Sequence, residues 1–443
     1  MQPTVRDVNA ALEALRSEDP RAAQNADAGL QALTAGEGFD GVTQYDLQYF
    51  LWYTLPKKFL APVEAQLEVA DALGRLLEMA GLPRYAAICR SETTRECIEA
   101  VEKDEGFSAY RRAQKASGVE PPDVDELTWG TYFGFQENAA LHGAAAALEM
   151  AILAGDLQPG APGWTKTQKE ITRAWLTTSN AAFEGKTPLE AVHTERIEDW
   201  LRGRSEARRS ILATIAPRLV DPVAVPGDAE KSLGPLRWFL SAAEQEIQLT
   251  QKHNLGRAFV QEAAARYEWW DFFHRLTTEL EVPYLHALHQ FARRLKLVRR
   301  KGRKLLLAPA GRRCLQDIEI LWRTVAHGLL VGDNFEQAVG ELLFPLLITK
   351  GEMQADEIKA RIAPVLAEQG WSTRDEWGGS LPIDKRGVAS GIWDVTKIAE
   401  PLGMMTESGD WQDRSLGLTD FGMATGLEGL RARSIAPRRT VFG

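Results

Sequence analysis

The chain has 443 residues, of which 44% are hydrophobic and 26% are charged. This composition is ordinary for a soluble globular protein, and it excludes a wholly disordered, collagen-like or low-complexity chain. At roughly 150 residues per domain, the length predicts about three domains. The 13 tryptophans indicate well-packed cores, because large aromatic side chains are usually buried.

Cysteine usage and hydropathy predict a cytoplasmic protein without a membrane span. Three cysteines at irregular spacing are too few for a disulfide framework and fit a reducing compartment. The first twenty residues are rich in charge and contain no apolar signal-peptide segment. The most apolar stretch, 139–155, is interrupted by His142 and Glu149, so no membrane helix is expected.

Apolar residues at helical spacing predict a helical N-terminal half, divided into regions 1–126 and 127–216. The clearest stripe runs along one predicted helix at Val63, Leu67, Ala70, Leu73, Leu76 and Leu77. Trp52, Trp129, Trp175 and Trp200 are expected to be largely buried in this half. The segment 217–235 contains four prolines, which predict an extended linker between this half and the rest of the chain.

After the linker, the predicted elements follow the order of a winged helix, a variant of the helix-turn-helix. Helices are predicted at 236–248, 255–267 and 284–296, followed by two short strands within 297–308 around Lys301-Gly302. The order recurs with helices at 336–348, 354–369 and 388–402 and a hairpin at 404–408 and 415–419. The predicted modules are therefore 236–330 and 331–443.

A short internal similarity supports this duplication. The pattern L-x-L-[AT]-x-x-G begins at Leu305 and again at Leu416, an offset of 111 residues. It fits the strand that leaves a wing, followed by a glycine at the start of a closing helix. The predicted fold class is mainly α, with N-terminal helical domains followed by two winged-helix-like modules with short β-hairpin wings.

Three segments, 248–257 (QLTQKHNLGR), 299–311 (the first predicted wing) and 163–176 (Gly163-Trp164 to Trp175-Leu176), resemble uncharacterised helical proteins of actinobacteria. Those proteins carry winged-helix-like ends, and the resemblance covers most of the chain. It implies the same architecture here. The family has no established activity, so the resemblance assigns no catalytic residue, metal or cofactor.

Positive charge is concentrated at the first predicted wing, although the whole chain has a formal net charge of −9. The segment 293–313 has ten basic residues and no acidic one. A local positive patch on an acidic protein is typical of a docking surface for an anionic polymer. The alternative interpretation is a basic hairpin that contacts an acidic protein surface.

The third helix and the wing of this module are the predicted DNA-binding site. An apolar stripe at Leu285, Leu288 and Ala292 predicts which residues of the helix face outward, and Gln and Arg can bind base edges. The wing residues are expected to contact phosphates. The predicted DNA-binding residues are His286, His289, Gln290, Arg293, Lys296, Arg299, Arg300, Lys301, Arg303 and Lys304.

The second module has acidic residues where the first is basic. Its third helix is expected to bury Ile392, Val395, Ile398 and Leu402 and to expose Asp394, Lys397 and Glu400. Its hairpin carries Glu407, Asp410 and Asp413 against Arg414. Because these acids repel phosphate, this module is predicted to serve packing, self-association or contact with a protein partner.

Other chemical motifs are weaker. Gly185-Lys186-Thr187 resembles the end of a phosphate loop, but Asn180 stands where the first glycine belongs, and a helix capping box from Thr187 is preferred. The pair His286 and His289 has metal-ligand spacing, although exposed histidines without a metal are preferred. The aromatic cluster Tyr267, Trp269, Trp270, Phe272 and Phe273 is interpreted as core rather than as a base-stacking surface.

The sequence thus predicts a non-catalytic protein, without cofactor or metal, that binds double-stranded DNA in regulation or genome defence. The second hypothesis is a protein-interaction scaffold that uses winged helices for docking and dimerisation. The third is an enzyme with a site around His142 and Glu149, although a structural hydrogen-bonded pair is the preferred interpretation of these two residues.

Overall fold

The computed structural model describes residues 7–202, 205–269, 278–374, 379–410 and 413–439. The protein is mainly α-helical with short antiparallel hairpins, as predicted. It divides into two compact units, Met1–Val192 with Pro437–Gly443, and His193–Ala436. No helix in the described ranges has both the length and the apolar character needed to cross a membrane. The five-part division expected from the sequence stays a prediction.

The first unit is built from helices that pack through apolar stripes. The predicted stripe on α5 is buried at Ala70, Leu73, Leu76 and Leu77. Trp52 is buried, whereas Trp129 and Trp175 are half-buried. The helices are α1 Val8–Glu18, α2 Pro20–Thr34, α3 Gln44–Tyr49, α4 Leu55–Lys58, α5 Val63–Met79, α6 Pro83–Cys89, α7 Glu92–Glu99, α8 Gly106–Ser117, α9 Phe135–Ala154, α10 Trp164–Thr177 and α11 Pro188–Leu201, the last of which continues into the second unit.

The predicted capping box is present at the start of α11. The Thr187 N–H donates to the Glu190 carboxylate at 2.8 Å, and the Glu190 N–H donates to the Thr187 hydroxyl oxygen at 3.1 Å. These two bonds satisfy backbone donors that a helix start leaves unpaired. The residues Gly185-Lys186-Thr187 therefore lead into a capped helix.

The second unit contains both predicted three-helix modules. Two helices, α12 Glu206–Ala213 and α13 Ala229–Ser232, precede the first module. The elements of the module are α14 Gly234–Glu244, β1 Ile247–Gln248, α15 Arg257–Tyr267, α16 Pro283–Arg294, β2 Val298–Lys301, β3 Lys304–Leu307 and α17 Pro309–Gln316. Its sheet order is β1-β3-β2. Residues 247–248 were expected to continue a helix, but the chain turns at Glu246, whose φ is 64°, and Ile247 pairs with Leu305.

The second module repeats this order after α18 Ile318–Leu330. Its elements are α19 Phe335–Lys350, β4 Met353–Gln354, α20 Ala355–Glu368, α21 Lys385–Ala399, β7 Met405–Ser408, β8 Ser415–Leu418 and α22 Asp420–Ser434. An additional hairpin, β5 Ser372–Arg374 and β6 Ser380–Pro382, precedes α21. The sheet order β4-β8-β7 matches that of the first module, because the short strand after the first helix again pairs with the last strand.

The two modules also share backbone hydrogen bonds at matching positions. The Ala308 N–H donates to the Leu297 carbonyl oxygen at 2.9 Å, and the Thr419 N–H donates to the Met404 carbonyl oxygen at 3.1 Å. In each case the bond joins the residue after the last strand to the residue before the hairpin. The internal similarity seen in the sequence therefore corresponds to the same local structure in both modules.

The repeated pattern requires glycine at its last position for a steric reason. A Cβ atom on Gly311 would collide with the Leu297 carbonyl oxygen, and a Cβ atom on Gly422 would collide with the Met404 carbonyl oxygen. The closing helix of each module therefore starts against backbone, and only glycine leaves enough room.

The proline-containing segment 217–235 belongs to the second unit. It includes the four-residue α13 and most of a 3₁₀ turn, Ala216–Leu219, so it is less extended than expected. Leu219, Ala229 and Leu233 are buried in the same apolar core as the two modules. This segment therefore contributes side chains to the core, in addition to connecting elements.

Replacing Gly311 or Gly422 with alanine is expected to lower the free energy of unfolding by about 1–3 kcal/mol, the usual cost of overpacking. Urea titration of the full chain measures this change. Gly234→Ala is the matched control, because no atom lies within 4 Å of its Cβ position and its φ is not positive. The control should change stability by less than about 0.5 kcal/mol. Equal effects at the three positions would contradict the steric explanation.

Candidate nucleic-acid interface

The basic hairpin is buried at the end that leaves the core and charged at the end that carries its loop. In its register, Val298 pairs with Leu307 and Lys301 pairs with Lys304, so Gly302-Arg303 forms a two-residue loop. Gly302 has a φ of 61°, which short hairpin loops require and which glycine adopts at little cost. Val298 and Leu307 anchor the hairpin in the core, while the residues toward the loop reach solvent.

Most cations of this hairpin have no carboxylate partner. Arg299, Arg300, Lys301 and Arg303 are exposed, and none of them forms an ion pair with a described residue. Lys304, by contrast, pairs with Glu246. Of the other basic residues of segment 293–313, Arg293, Lys296 and Arg313 are also exposed and unpaired among described residues. Arg312 lies 3.8 Å from Glu244, and Arg294 donates to the Gly328 carbonyl oxygen at 3.3 Å. The surface formed by the seven unpaired cations is called the basic patch below.

The third helix, α16, presents fewer outward residues than predicted. Gln290 and Arg293 are exposed, as is Lys296 just beyond the helix, and His286 is half-buried. His289 is 1% exposed, so its prediction as a DNA-binding residue is wrong. The preferred interpretation of both histidines as exposed surface residues is therefore wrong for His289, whereas His286 is half-buried.

The two histidines bind a buried carboxylate that the sequence interpretation missed. The Nδ1 atoms of His286 and His289 each lie 2.8 Å from Oε1 of Glu279, which is fully buried. The other carboxylate oxygen accepts a hydrogen bond from the Leu255 N–H at 2.6 Å. Glu279 thereby connects the segment before α15 to α16. The only sequence signal was an acid seven and ten residues before the histidines.

These contacts stabilise the ionised form of Glu279. Burial alone raises the pKa of a carboxyl group. Here the hydrogen bonds from His286 and His289, the charge on His289 and the bond from the Leu255 N–H outweigh burial and lower the pKa of Glu279 to about 2. Glu279 is therefore a charged structural anchor at neutral pH.

The histidine pair does not form a recognisable metal site. In the described part of the chain, no group of three or more histidine, cysteine, aspartate or glutamate side chains is placed to hold a metal ion. The nearby Glu281 accepts a hydrogen bond from the Thr278 N–H at 2.9 Å.

The second module packs against the third helix of the first, because α16 contacts α21. The Tyr284 hydroxyl donates to the Glu400 carboxylate across this contact. Arg414 lies 3.4 Å from Glu400 and 2.7 Å from Glu407. Burial raises the pKa of Glu400, and the Tyr284 hydrogen bond opposes that shift. Glu400, which was expected to be exposed, is half-buried, and both Glu400 and Glu407 are paired within the chain.

The residues of α21 follow the predicted pattern only in part. Ile392, Val395, Ile398 and Leu402 are buried as predicted. Asp394 and Lys397 are half-buried and form an ion pair with each other. The charged face of α21 is therefore partly neutralised.

The aromatic cluster forms a partly buried series of ring contacts. Tyr267 stacks on Trp269 with centroids 4.8 Å apart, and Trp238 stacks on Phe259 at the same distance. All four rings are half-buried and pack against the core of the second unit or against one another. The predicted members Trp270, Phe272 and Phe273 lie outside the described residues.

His142 and Glu149 do not contact each other as an acid–base pair. His142 Nδ1 lies 2.9 Å from Asp46, while Glu149 accepts a hydrogen bond from the Gln44 N–H at 2.7 Å and lies 3.2 Å from Arg84. The two residues of α9 therefore bind separate partners on α3 and α6. This arrangement fixes helix positions and offers no shared catalytic geometry.

Glu279→Gln is expected to remove a pH-dependent part of the stability. Because folding depresses the pKa of Glu279 from 4.5 to about 2, the stabilisation is complete above pH 4.5 and is lost as the pH falls toward 2. Full loss corresponds to about 3 kcal/mol. Urea titrations of wild type and variant across this pH range measure the difference. Glu368→Gln, at an exposed carboxylate, is the control and should not change the pH profile.

Comparisons with known proteins reach only part of the chain. Residues 236–319 match the family model described as the Y4jL N-terminal domain. This range takes in almost all of the first module, from within α14 through α17. No curated protein and no solved structure matches the chain. The similarity therefore concerns the module that carries the basic patch.

Proposed function

We propose that the chain binds double-stranded DNA without catalysis, through a winged-helix module formed by residues 234–316. The order of helices and strands and the β1-β3-β2 sheet support the winged-helix interpretation, in which β2 and β3 form the wing. The observation that carries the proposal is the basic patch, since unpaired exposed cations on one hairpin favour a polyanion.

The exposed residues divide into two kinds of contact. Arg299, Arg300, Lys301 and Arg303 lie on the wing or its loop, where they contact phosphates and position the module. Gln290 and Arg293 are the predicted residues of α16 that remain available to base edges. His289 and Lys304 are excluded from this set, because the first is buried and the second is paired with Glu246.

The second module has a different part in this proposal. Its helix α21 packs on α16, and its hairpin carries Glu407 and Asp410. Carboxylates on a wing repel phosphates, so this module supports the first rather than binding a second stretch of DNA. The proposed role is regulation or genome defence in the cytoplasm, a compartment consistent with three free buried cysteines.

A protein-interaction scaffold is the second candidate, and one observation favours it. Two cations of the first module already bind carboxylates, because Lys304 pairs with Glu246 and Arg312 lies 3.8 Å from Glu244. The same chemistry allows the basic patch to dock on an acidic protein surface. DNA is preferred because all of the patch residues are exposed and distributed along a hairpin and the adjoining helices.

DNA binding by the wild-type protein should weaken steeply with salt. If about six basic residues touch phosphates, the log–log slope is about −5, from −0.9 per contact. Changing Arg299, Arg300 and Arg303 together to glutamate should abolish binding to duplexes of any sequence. Fluorescence anisotropy with labelled duplexes, measured across a salt series, tests both expectations.

The control for this triple variant is a second one, in which Lys58, Lys115 and Lys169 are changed to glutamate. These lysines are exposed, lie outside the basic patch and form no ion pair with a described residue, so the change in net charge is the same. The control should bind duplex DNA with a small loss of affinity that is the same for all sequences. Failure of the wild type to bind at about 50 mM salt, a low-salt condition that favours phosphate contacts, excludes the DNA proposal.

Substitution of α16 should affect sequence preference instead. Gln290→Ala or Arg293→Ala is expected to reduce discrimination between preferred and altered duplexes by about 1–3 kcal/mol, the range for one bidentate base contact. Selection from a random duplex library, followed by competition assays, measures this difference. If both variants keep the wild-type preference, α16 does not read bases and the wing alone accounts for binding.

A further inference from the structure

The longest helix of the first unit, α9, has an apolar outer face. Phe135, Met150 and Leu153 are 81%, 64% and 56% exposed, although large apolar side chains are most often buried. The residues that face outward with them follow one another at steps of three or four positions, which is the spacing of a single helix face. This face is called the outer stripe below, and its residues are Phe135, Ala139, His142, Ala146, Met150 and Leu153.

The outer stripe carries no carboxylate, lysine or arginine. The two acids of α9, Glu137 and Glu149, are buried and hydrogen-bonded within the first unit. The polar residue of the stripe, His142, is already in contact with Asp46 at 2.9 Å. A helix at the surface of a globular protein normally has charged and polar residues on its solvent face. The outer stripe therefore has the composition of a contact surface, although the described residues leave its large side chains exposed.

The outer stripe is self-complementary when two copies of it run antiparallel. Around a two-fold axis beside Ala144, which itself faces the core, residues equally far before and after Ala144 lie opposite each other. Phe135 and Leu153 are equally far from it, so these bulky side chains meet at both ends of the contact. Met150 lies opposite Ala139 to within one residue, so a long side chain meets a short one. A two-fold interface requires such a match of one surface with itself.

Charge favours a second copy over a charged partner. The whole chain has a formal net charge of −9, so two copies repel each other wherever their contact surfaces are acidic. The outer stripe avoids this repulsion, because the acids of α9 lie on its buried faces. It also offers no charged group that would select an acidic or a basic partner.

The size of the outer stripe determines how strong the contact can be. From Phe135 to Leu153 the stripe is about 27 Å long, at 1.5 Å per residue, and about 10–12 Å wide. It therefore covers about 300 Å² per copy, whereas a stable interface covers roughly 800 Å² per partner. A contact of this area supports a weak, reversible dimer.

We propose that two copies of the chain associate through α9, with the outer stripe of one copy packed antiparallel on the outer stripe of the other. Phe135 of each copy contacts Leu153 of the other copy, and Met150 of each contacts Ala139 of the other. The proposal does not depend on DNA binding, because every residue that it uses lies in the first unit.

Sedimentation equilibrium of the full chain over a concentration series tests the association. The wild type should dimerise with a Kd of about 100 μM, as a small interface allows. Met150→Glu should weaken dimerisation at least about tenfold, because it places an unpaired carboxylate in the contact. Met150 is exposed in the single chain, so this variant should keep the melting temperature that the wild type has at low concentration.

Leu60→Glu is the matched control. Leu60 is fully exposed and lies outside α9, so the change removes an exposed apolar side chain and adds the same charge. This variant should dimerise like the wild type. A wild type that stays monomeric at about 0.5 mM, several times the expected Kd, would overturn the proposal, as would equal losses in the two variants.

Engineered cysteines test the antiparallel orientation. The native cysteines are buried, so they should not compete. A mixture of Ala139→Cys chains and Met150→Cys chains should form disulfide-linked dimers on mild oxidation. Ala139→Cys chains alone should not, because their cysteines lie about 15 Å apart along antiparallel helices and a disulfide needs Cα atoms within about 7 Å. Cross-linking of Ala139→Cys chains alone, or none in the mixture, would contradict the proposed packing.

Discussion

The packing of α16 against α21 determines how the second unit can meet a partner. In an isolated winged helix, the third helix presents one long face to solvent. Here the buried residues of α16 include Ala287 and Phe291 in addition to the expected stripe. The surface left on this helix is narrow, and the hairpin beside it becomes the broader charged surface. The exposed surface of these two elements therefore lies at least as much on the hairpin as on the helix.

The two modules show how one backbone design can support opposite surface charge. The constraints that they share concern the backbone, such as the glycine that starts the closing helix and the pairing of the short strand with the last strand. The position two residues before the first hairpin strand has positive φ in both modules, at Lys296 and at Gly403. Surface positions are not bound by these constraints, so the two modules can carry different charge.

Sequence reasoning succeeded where the structural signal is local. Both hairpins, the helix order and the capping box at Thr187 follow from turn residues, spacing and caps within a few residues of one another. It failed where the cause is a contact between separate elements of the fold. His289 has the spacing of an outward residue, but its ring contacts the carboxylate of Glu279, ten positions earlier in the chain. The strand β1 has two residues, too few to show any periodicity.

The two-residue loop of the first hairpin has a consequence for the thermodynamics of association. A tight loop leaves the flanking arginines on paired strands, so their backbone is already ordered before any encounter. Ordering a long flexible segment at the moment of binding consumes part of the interaction energy, and a preorganised hairpin avoids that loss. Side-chain rotamers still have to be ordered on binding, whereas the main chain is already ordered. The hairpin therefore presents its arginines from a backbone that strand pairing already holds in place.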